Sequence, residues 1–127
     1  MNEPRDETND DYQALRRWAL SYPESVEEFP WGHSAMKVRN KTFVFLSCTT
    51  DKLGLSAKLP QSREAAVTLG GGTPTRYGLG KHGWVSVSYR VGEDDVPVEM
   101  LKQWIDESFR AIAPKKLSKQ VPDGGPA

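Results

Sequence analysis

The apolar positions of this 127-residue chain change period along its length, and the period assigns the elements. Tyr12, Leu15, Trp18, Ala19 and Tyr22 recur every three or four residues, the spacing of one buried helix face, with Asn9 or Asp10 placed to cap the helix and Pro23 to end it. Period two follows. Ala35–Val38 and Thr42–Cys48 read as the strands of a hairpin turning at Arg39, Asn40 and Lys41, with Asn40 suited to a positive φ. With a two-residue loop, Met36, Val38, Phe43 and Phe45 share the core face, Lys37 and Thr42 face away, and Val44, Leu46 and Cys48 fall on a second face.

Leu53, Leu55, Ala57 and Leu59 alternate with Gly54, Ser56 and Lys58, a half-buried strand with Lys58 on its polar side. Ser62 is placed to cap a short helix through Leu69 that gives Ala66 and Leu69 to the core and stops at Gly70. Residues 70–83 read as loop, a length that in a compact domain is more often functional or mobile than a plain connector. A fourth strand runs from Trp84 to Val91, with Val85, Val87, Tyr89 and Val91 on one face. Asp94, Asp95 and Pro97 suit the start of a last helix, whose buried stripe is Leu101, Trp104, Ile105, Ser108 and Ile112 and which Pro114 ends by Ala113. The order α-β-β-β-α-β-α predicts one α+β domain over residues 10–117, an antiparallel sheet with its helices on one face, between disordered segments 1–9 and 118–127.

Composition narrows the setting. The apolar fraction is 37% and the mean hydropathy −0.61, values diluted by the polar ends. One cysteine, Cys48, forms no intrachain disulfide and no thiolate zinc cluster, which fits a reducing, cytoplasmic setting. The acidic N-terminus lacks the apolar run of a secretory signal, and no 18-residue apolar segment exists, so a soluble protein without a membrane association is expected.

Net charge is zero but unevenly placed. Residues 1–30 hold three basic and eight acidic side chains, a net of −5; residues 31–92 hold nine and two, a net of +7; residues 93–127 hold five and seven, a net of −2. The predicted sheet is basic and the helical ends are acidic. Helix starts attract Asp and Glu in any protein, so the same pattern is also what helix dipoles alone would produce.

Few motifs carry chemistry. Gly78, Gly80 and Gly83 spell G-x-G-x-x-G, but dinucleotide binding needs a strand before the glycines and a helix after them, and here a strand follows. No Gly-Lys-Ser/Thr follows a glycine run. His33, His82 and Cys48 have no metal-ligand spacing, and the acids Asp10, Asp11, Glu24, Glu27 and Glu28 read as a solvated helix face sooner than a cation site. No serine sits in a nucleophile elbow, so no catalytic residue, metal or cofactor is assigned.

What remains is a set of cations interleaved with aromatics: Lys37, Arg39, Lys41, Lys58, Arg76, Tyr77, Lys81, His82, Trp84 and Arg90. Such cations contact phosphates and an exposed Trp can stack on a base. The competing reading is a solvated lysine surface with Trp84 packed beneath the loop.

Five short pieces of the chain stand in an order and spacing that resemble the MmcQ/YjbR family of small bacterial proteins over roughly residues 12–117. They are Glu28-x-Pro30-Trp31-Gly32, Lys37-Val38-x-x-Lys41-x-Phe43, Leu55-Ser56-Ala57-Lys58, Lys81-His82-Gly83-Trp84 and Ile105-Asp106-Glu107-Ser108-Phe109. Gly70-Gly71-Gly72 and the tail after Leu117 look like departures. The resemblance implies a fold like that of the frataxin homologue CyaY and a DNA-binding designation through a double-wing likeness, with no residue roles to carry over. The resulting expectation is a non-enzymatic, weakly specific DNA-binding domain whose hairpin and 76–83 loop project as basic wings, with Lys37, Arg39, Lys41, Lys58, Arg76, Lys81, His82, Trp84 and Arg90 as the contacts. The alternative is a small-molecule or protein-binding module that uses the Gly70–Gly83 loop with Trp31, Trp84 and His82. A pI near 6.7 argues against strong nucleic-acid affinity.

Overall fold

The computed structural model describes residues 8–29, 34–68, 71–75 and 79–126, with the backbone alone for Leu79 and Lys81. The expectations placed on residues 1–7, on Trp31 and His33, on Leu69 and Gly70, on Arg76 and Tyr77, and on the Lys81 side chain lie outside the described residues. Helix α1 (Asp10–Leu20) is followed by strands β1 (Val26–Glu28), β2 (Ser34–Val38), β3 (Lys41–Cys48) and β4 (Lys52–Lys58). Then come α2 (Arg63–Thr68), β5 (Thr73–Pro74), a 3-10 turn (Leu79–His82), β6 (Trp84–Arg90), α3 (Val98–Ile112) and α4 (Lys115–Ser118). The strands form one antiparallel sheet in the order β1-β2-β3-β4-β6-β5, so the domain is α+β as its periodicities predict. No described helix is long and apolar enough to cross a membrane.

Two of these strands were hidden from the periodicity. β1 has three residues and β5 two, too short to show an alternation, and both sit on sheet edges. Pro74 is tolerated at such an edge because no further strand needs its missing N–H. Described residues of the 70–83 stretch are held by backbone bonds: Thr75 N donates to Trp84 O, and Gly80 N to Thr75 O.

The hairpin turns on two residues, Arg39 and Asn40, with φ of 51° and 66°, so Val38 faces Lys41 and Lys37 faces Thr42. Beyond Thr42 the expected faces fail. The register shifts between Met36 and Lys37, Met36 pairs with Val44, and Phe43 becomes the extra residue of a β-bulge. One extra residue reverses the alternation. Phe43 and Val44 are both buried, Leu46 and Cys48 join Met36 in the core, and Phe45 is turned to the opposite face.

The core lies between the sheet and α1, α2 and α3. Asn9 caps α1 as expected, its side chain accepting from Tyr12 N. α1 buries Tyr12, Leu15 and Ala19; Tyr22, just past its end, stacks on Phe109, and both rings meet Phe43 edge-on. The α3 stripe is as read from its spacing, except that Ile112 is half-buried and that Asp106 and Phe109 are also buried. Ser62 does not cap α2 with its hydroxyl. That hydroxyl donates to Glu107 on α3, whose carboxylate also accepts from Gln61 N and Ser62 N, so a side chain distant in sequence caps the helix.

The tail, expected to be disordered, packs back on the helices. Val121, Gly125 and Pro126 are buried, Arg110 Nη2 donates to Pro122 O at 2.8 Å, and Gln103 donates to Gly124 O. At Gly125 φ is 114°, and a Cβ there would lie 2.3 Å from the Trp18 ring, so only glycine fits against that indole.

Ser108 joins helix to sheet. Its buried hydroxyl donates to Phe43 O on β3 and accepts from Lys58 N on β4, at the point where the bulge and the strand end leave both backbone groups needing partners. Ser108→Ala removes both bonds and is expected to lower the unfolding free energy by about 2 kcal/mol. Urea denaturation should show this as a lower midpoint at unchanged slope.

Candidate ligand-binding face

Helices α1, α2 and α3 pack with the core residues on one side of the sheet; on the other side Lys52, Ser88 and Arg90 are exposed, while Ala35 and Trp84 are buried. Strand pairing lays out this open face in four rows. Nearest the hairpin turn, Lys37 lies opposite Thr42, and Lys58 opposite Trp84. The next row runs Ala35, Phe45, Ser56, Ser86 and Thr73. Ser47, Gly54 and Ser88 form the third, and Lys52 opposite Arg90 the fourth. Glu28 and Val26 continue the face onto the β1 edge, since they pair with Ala35 and Lys37.

Two features distinguish the face chemically. The rings of Phe45 and Trp84 meet at 5.7 Å across the intervening strand. Beside them the Ser56 and Ser86 hydroxyls share a 2.6 Å hydrogen bond, and Thr75 Oγ1 lies 2.9 Å from Ser86 Oγ, a polar row that can reorient to donate to or accept from a ligand. The strand positions of the face hold four cations, Lys37, Lys52, Lys58 and Arg90, against one carboxylate, Glu28.

The sequence-predicted contacts are dispersed by this geometry. Lys37, Lys58 and Arg90 share the open face. Lys41 does not: it is opposite Val38, on the side of the helices, at the exposed hairpin tip. Arg39 occupies the turn, and His82 is exposed in the 3-10 turn. Trp84 is 6% exposed, packed on Phe45, so it is not the exposed stacking platform expected of it. The preceding Gly83, at φ 87°, accepts from Leu59 N just before the strand in which Trp84 packs on Phe45.

Several of the cations are already paired. Lys37 Nζ is 3.1 Å from Glu28 Oε1; Arg39 forks onto Glu24 at 2.6 and 3.0 Å; Arg90 reaches Asp94 at 3.2 Å and Glu93 at 3.8 Å. No ion pair engages Lys41, Lys52 or Lys58 among the described residues. Hydrogen bonds from the Arg39 guanidinium hold the Glu24 carboxyl below its ordinary range, and the backbone N–H and guanidinium of Arg90 do the same to Asp94. Among the described residues no three His, Cys, Asp or Glu side chains converge to hold a metal ion.

Alternation with the apolar positions puts Ser56 and Lys58 on the polar side of their strand but leaves out Phe45, which the bulge moves to that face. Lys52 went unnoticed because it stands at a strand end, where periodicity says little. The buried Tyr22 and Asp106 belong to structure: Tyr22 donates to Asp106 Oδ1 at 2.9 Å while Arg110 Nε holds Oδ2 at 2.7 Å. Burial, reinforced by the Asp106 charge, raises the Tyr22 pKa far enough to keep the phenol protonated throughout the working range.

The YjbR family model matches residues 20–111, well over half of the chain, and the chain belongs to that family. The matched span contains the whole open face and omits most of α1 and the packed tail. No curated protein matches the sequence.

The two paired carboxylates make a pH prediction. Their folded pKa values lie below the ordinary 4.5 for Glu24 and 3.8 for Asp94, so each pair stabilises fully above those values and is lost as pH falls through the lower folded ones. Carboxyl titration by NMR should give midpoints below 4.5 and 3.8 respectively, and Arg39→Gln should return Glu24 alone toward 4.5.

Proposed function

We propose that the protein is a non-enzymatic, weakly sequence-specific DNA-binding domain that meets the phosphate backbone with its open sheet face. The observation that carries this reading is the one-sided charge of the sheet: four cations against one carboxylate on the strand positions of the face opposite the packed helices. Lys52 and Lys58, without ion pairs among the described residues, stand at opposite ends of β4, with the serine hydroxyls between them to donate to phosphate oxygens. Backbone contacts of this kind position a duplex and read little sequence. The hairpin tip, through Arg39, extends the surface past the sheet.

A second reading has its own observation. Lys37, Arg39 and Arg90 are each met by a carboxylate of the same chain, which lowers the field available to a polyanion and favours a smaller ligand or a protein on the Phe45–Trp84 and hydroxyl rows.

Salt separates the two. With about four phosphates contacted, log affinity for duplex DNA falls with log salt at a slope near −3.6. Lys52→Glu and Lys58→Glu should each reduce that slope by about 0.9. Titration of a labelled duplex at two salt concentrations measures both, and affinity weaker than millimolar at low salt overturns the DNA reading in favour of the module.

A further inference from the structure

The segment between α1 and β2 brings carboxylates onto two of the hairpin's cations. Glu28 meets Lys37, and Glu24 meets Arg39 through a two-point fork, Nε to Oε1 at 2.6 Å and Nη2 to Oε2 at 3.0 Å. A carboxylate presents the guanidinium with the same planar pair of acceptors that a phosphate does, so Glu24 fills the site a phosphate would take. The arrangement is not a by-product of regular structure. Glu24 is a non-glycine residue at φ 60°, a conformation that L side chains adopt at a cost and that surroundings must impose. It lies before β1, which is three residues long and, as the edge strand, is held by one neighbour.

Both partners are open to solvent. The Arg39 and Glu24 side chains are 53% and 48% exposed, so a competing anion reaches the guanidinium without unfolding anything. An exposed pair of this kind is weak on its own, and a polyanion offering several phosphates can replace it.

We propose that Glu24 is a built-in occupant of the hairpin's arginine, an autoinhibitory contact that a phosphate must displace before Arg39 adds to the bound surface. This rests on the reading of the protein as a phosphate-backbone binder. It makes Arg39 a conditional contact, whereas Lys52 and Lys58 are available throughout.

The test compares the full chain with Glu24→Gln, Arg39→Gln and the double variant on one labelled duplex over a salt series. Glu24→Gln is expected to bind about tenfold tighter, as for one added charge-assisted hydrogen-bonded contact, with a salt slope steeper by about 0.9. The double variant should lose that gain and match Arg39→Gln. Glu24→Gly, which removes the carboxylate and the left-handed strain together, should reproduce the gain, with circular dichroism establishing that each variant is folded. If the chain binds DNA and Glu24→Gln binds no tighter, the occupant is overturned while the DNA reading stands. If no variant binds the duplex at low salt, both fall, unless inorganic phosphate shifts the Arg39 Nε–H resonance at lower concentration in Glu24→Gln than in the unaltered chain. That last result would uphold the occupant and overturn the duplex alone.

Discussion

Residues 105–109 of α3 tie the helices to the sheet and to the tail, and all five side chains are engaged in structure. Ile105 and Phe109 fill the core, Phe109 against Tyr22 and Phe43. Asp106 receives the Tyr22 phenol and the Arg110 guanidinium, and Arg110 in turn holds the tail through Pro122 O. Glu107 caps α2, and Ser108 supplies the Phe43 carbonyl and the Lys58 amide. A helix can do this because adjacent positions point in different directions around its axis. The polar members are buried or half-buried and fully engaged, so their bonds specify one docking of α3 on the sheet, where apolar burial alone would tolerate several.

That docking fixes what is left for function. With Ser108 bound to β3 and β4 on one side, the alternation of both strands sends Ser56, Lys58 and Phe45 to the other. The Ile105–Phe109 piece shared with the family is thus explained by folding. In Leu55-Ser56-Ala57-Lys58 the explanation divides, Leu55 and Ala57 in the core and Ser56 and Lys58 on the open face. In the hairpin piece, Val38 and Phe43 are core, and Lys37 is left over.

Much of this was legible in the chain. Helix periodicity gave α1 and α3, with Asn9 at the first cap and Ala113 at the last boundary, and alternation gave β4 and β6. The turn chemistry of Asn40 correctly implied a tight hairpin. What failed was local in origin and non-local in cause. The bulge at Phe43 and Val44, two apolar residues in succession, leaves no mark in a run that is apolar throughout, and it decides the face of Phe45. The Glu107 cap on α2 and the packing of Gly125 on Trp18 join residues far apart in sequence, which no window of neighbours contains. The charge map was read correctly by segment, but pairing of Arg39 with Glu24 depends on a left-handed residue that the sequence does not announce.

The open face is also where the chain departs from what strands favour. Val, Ile, Thr and aromatic residues suit a pleated surface, and the inner positions of β4 and β6 accordingly carry Leu, Ala, Val and Tyr. The outer positions carry Gly54, Ser56, Ser86 and Ser88. A glycine in a strand interior forfeits side-chain packing, but at Gly54 a Cβ would lie 2.9 Å from Ser47 Oγ, so packing accounts for that glycine and not for the serines. Folding alone would be better served by β-branched residues at several of these sites. Departures from local preference that no packing need explains gather where a surface is used. Here they gather between Lys52 and Lys58, on the face of β4 turned away from α3.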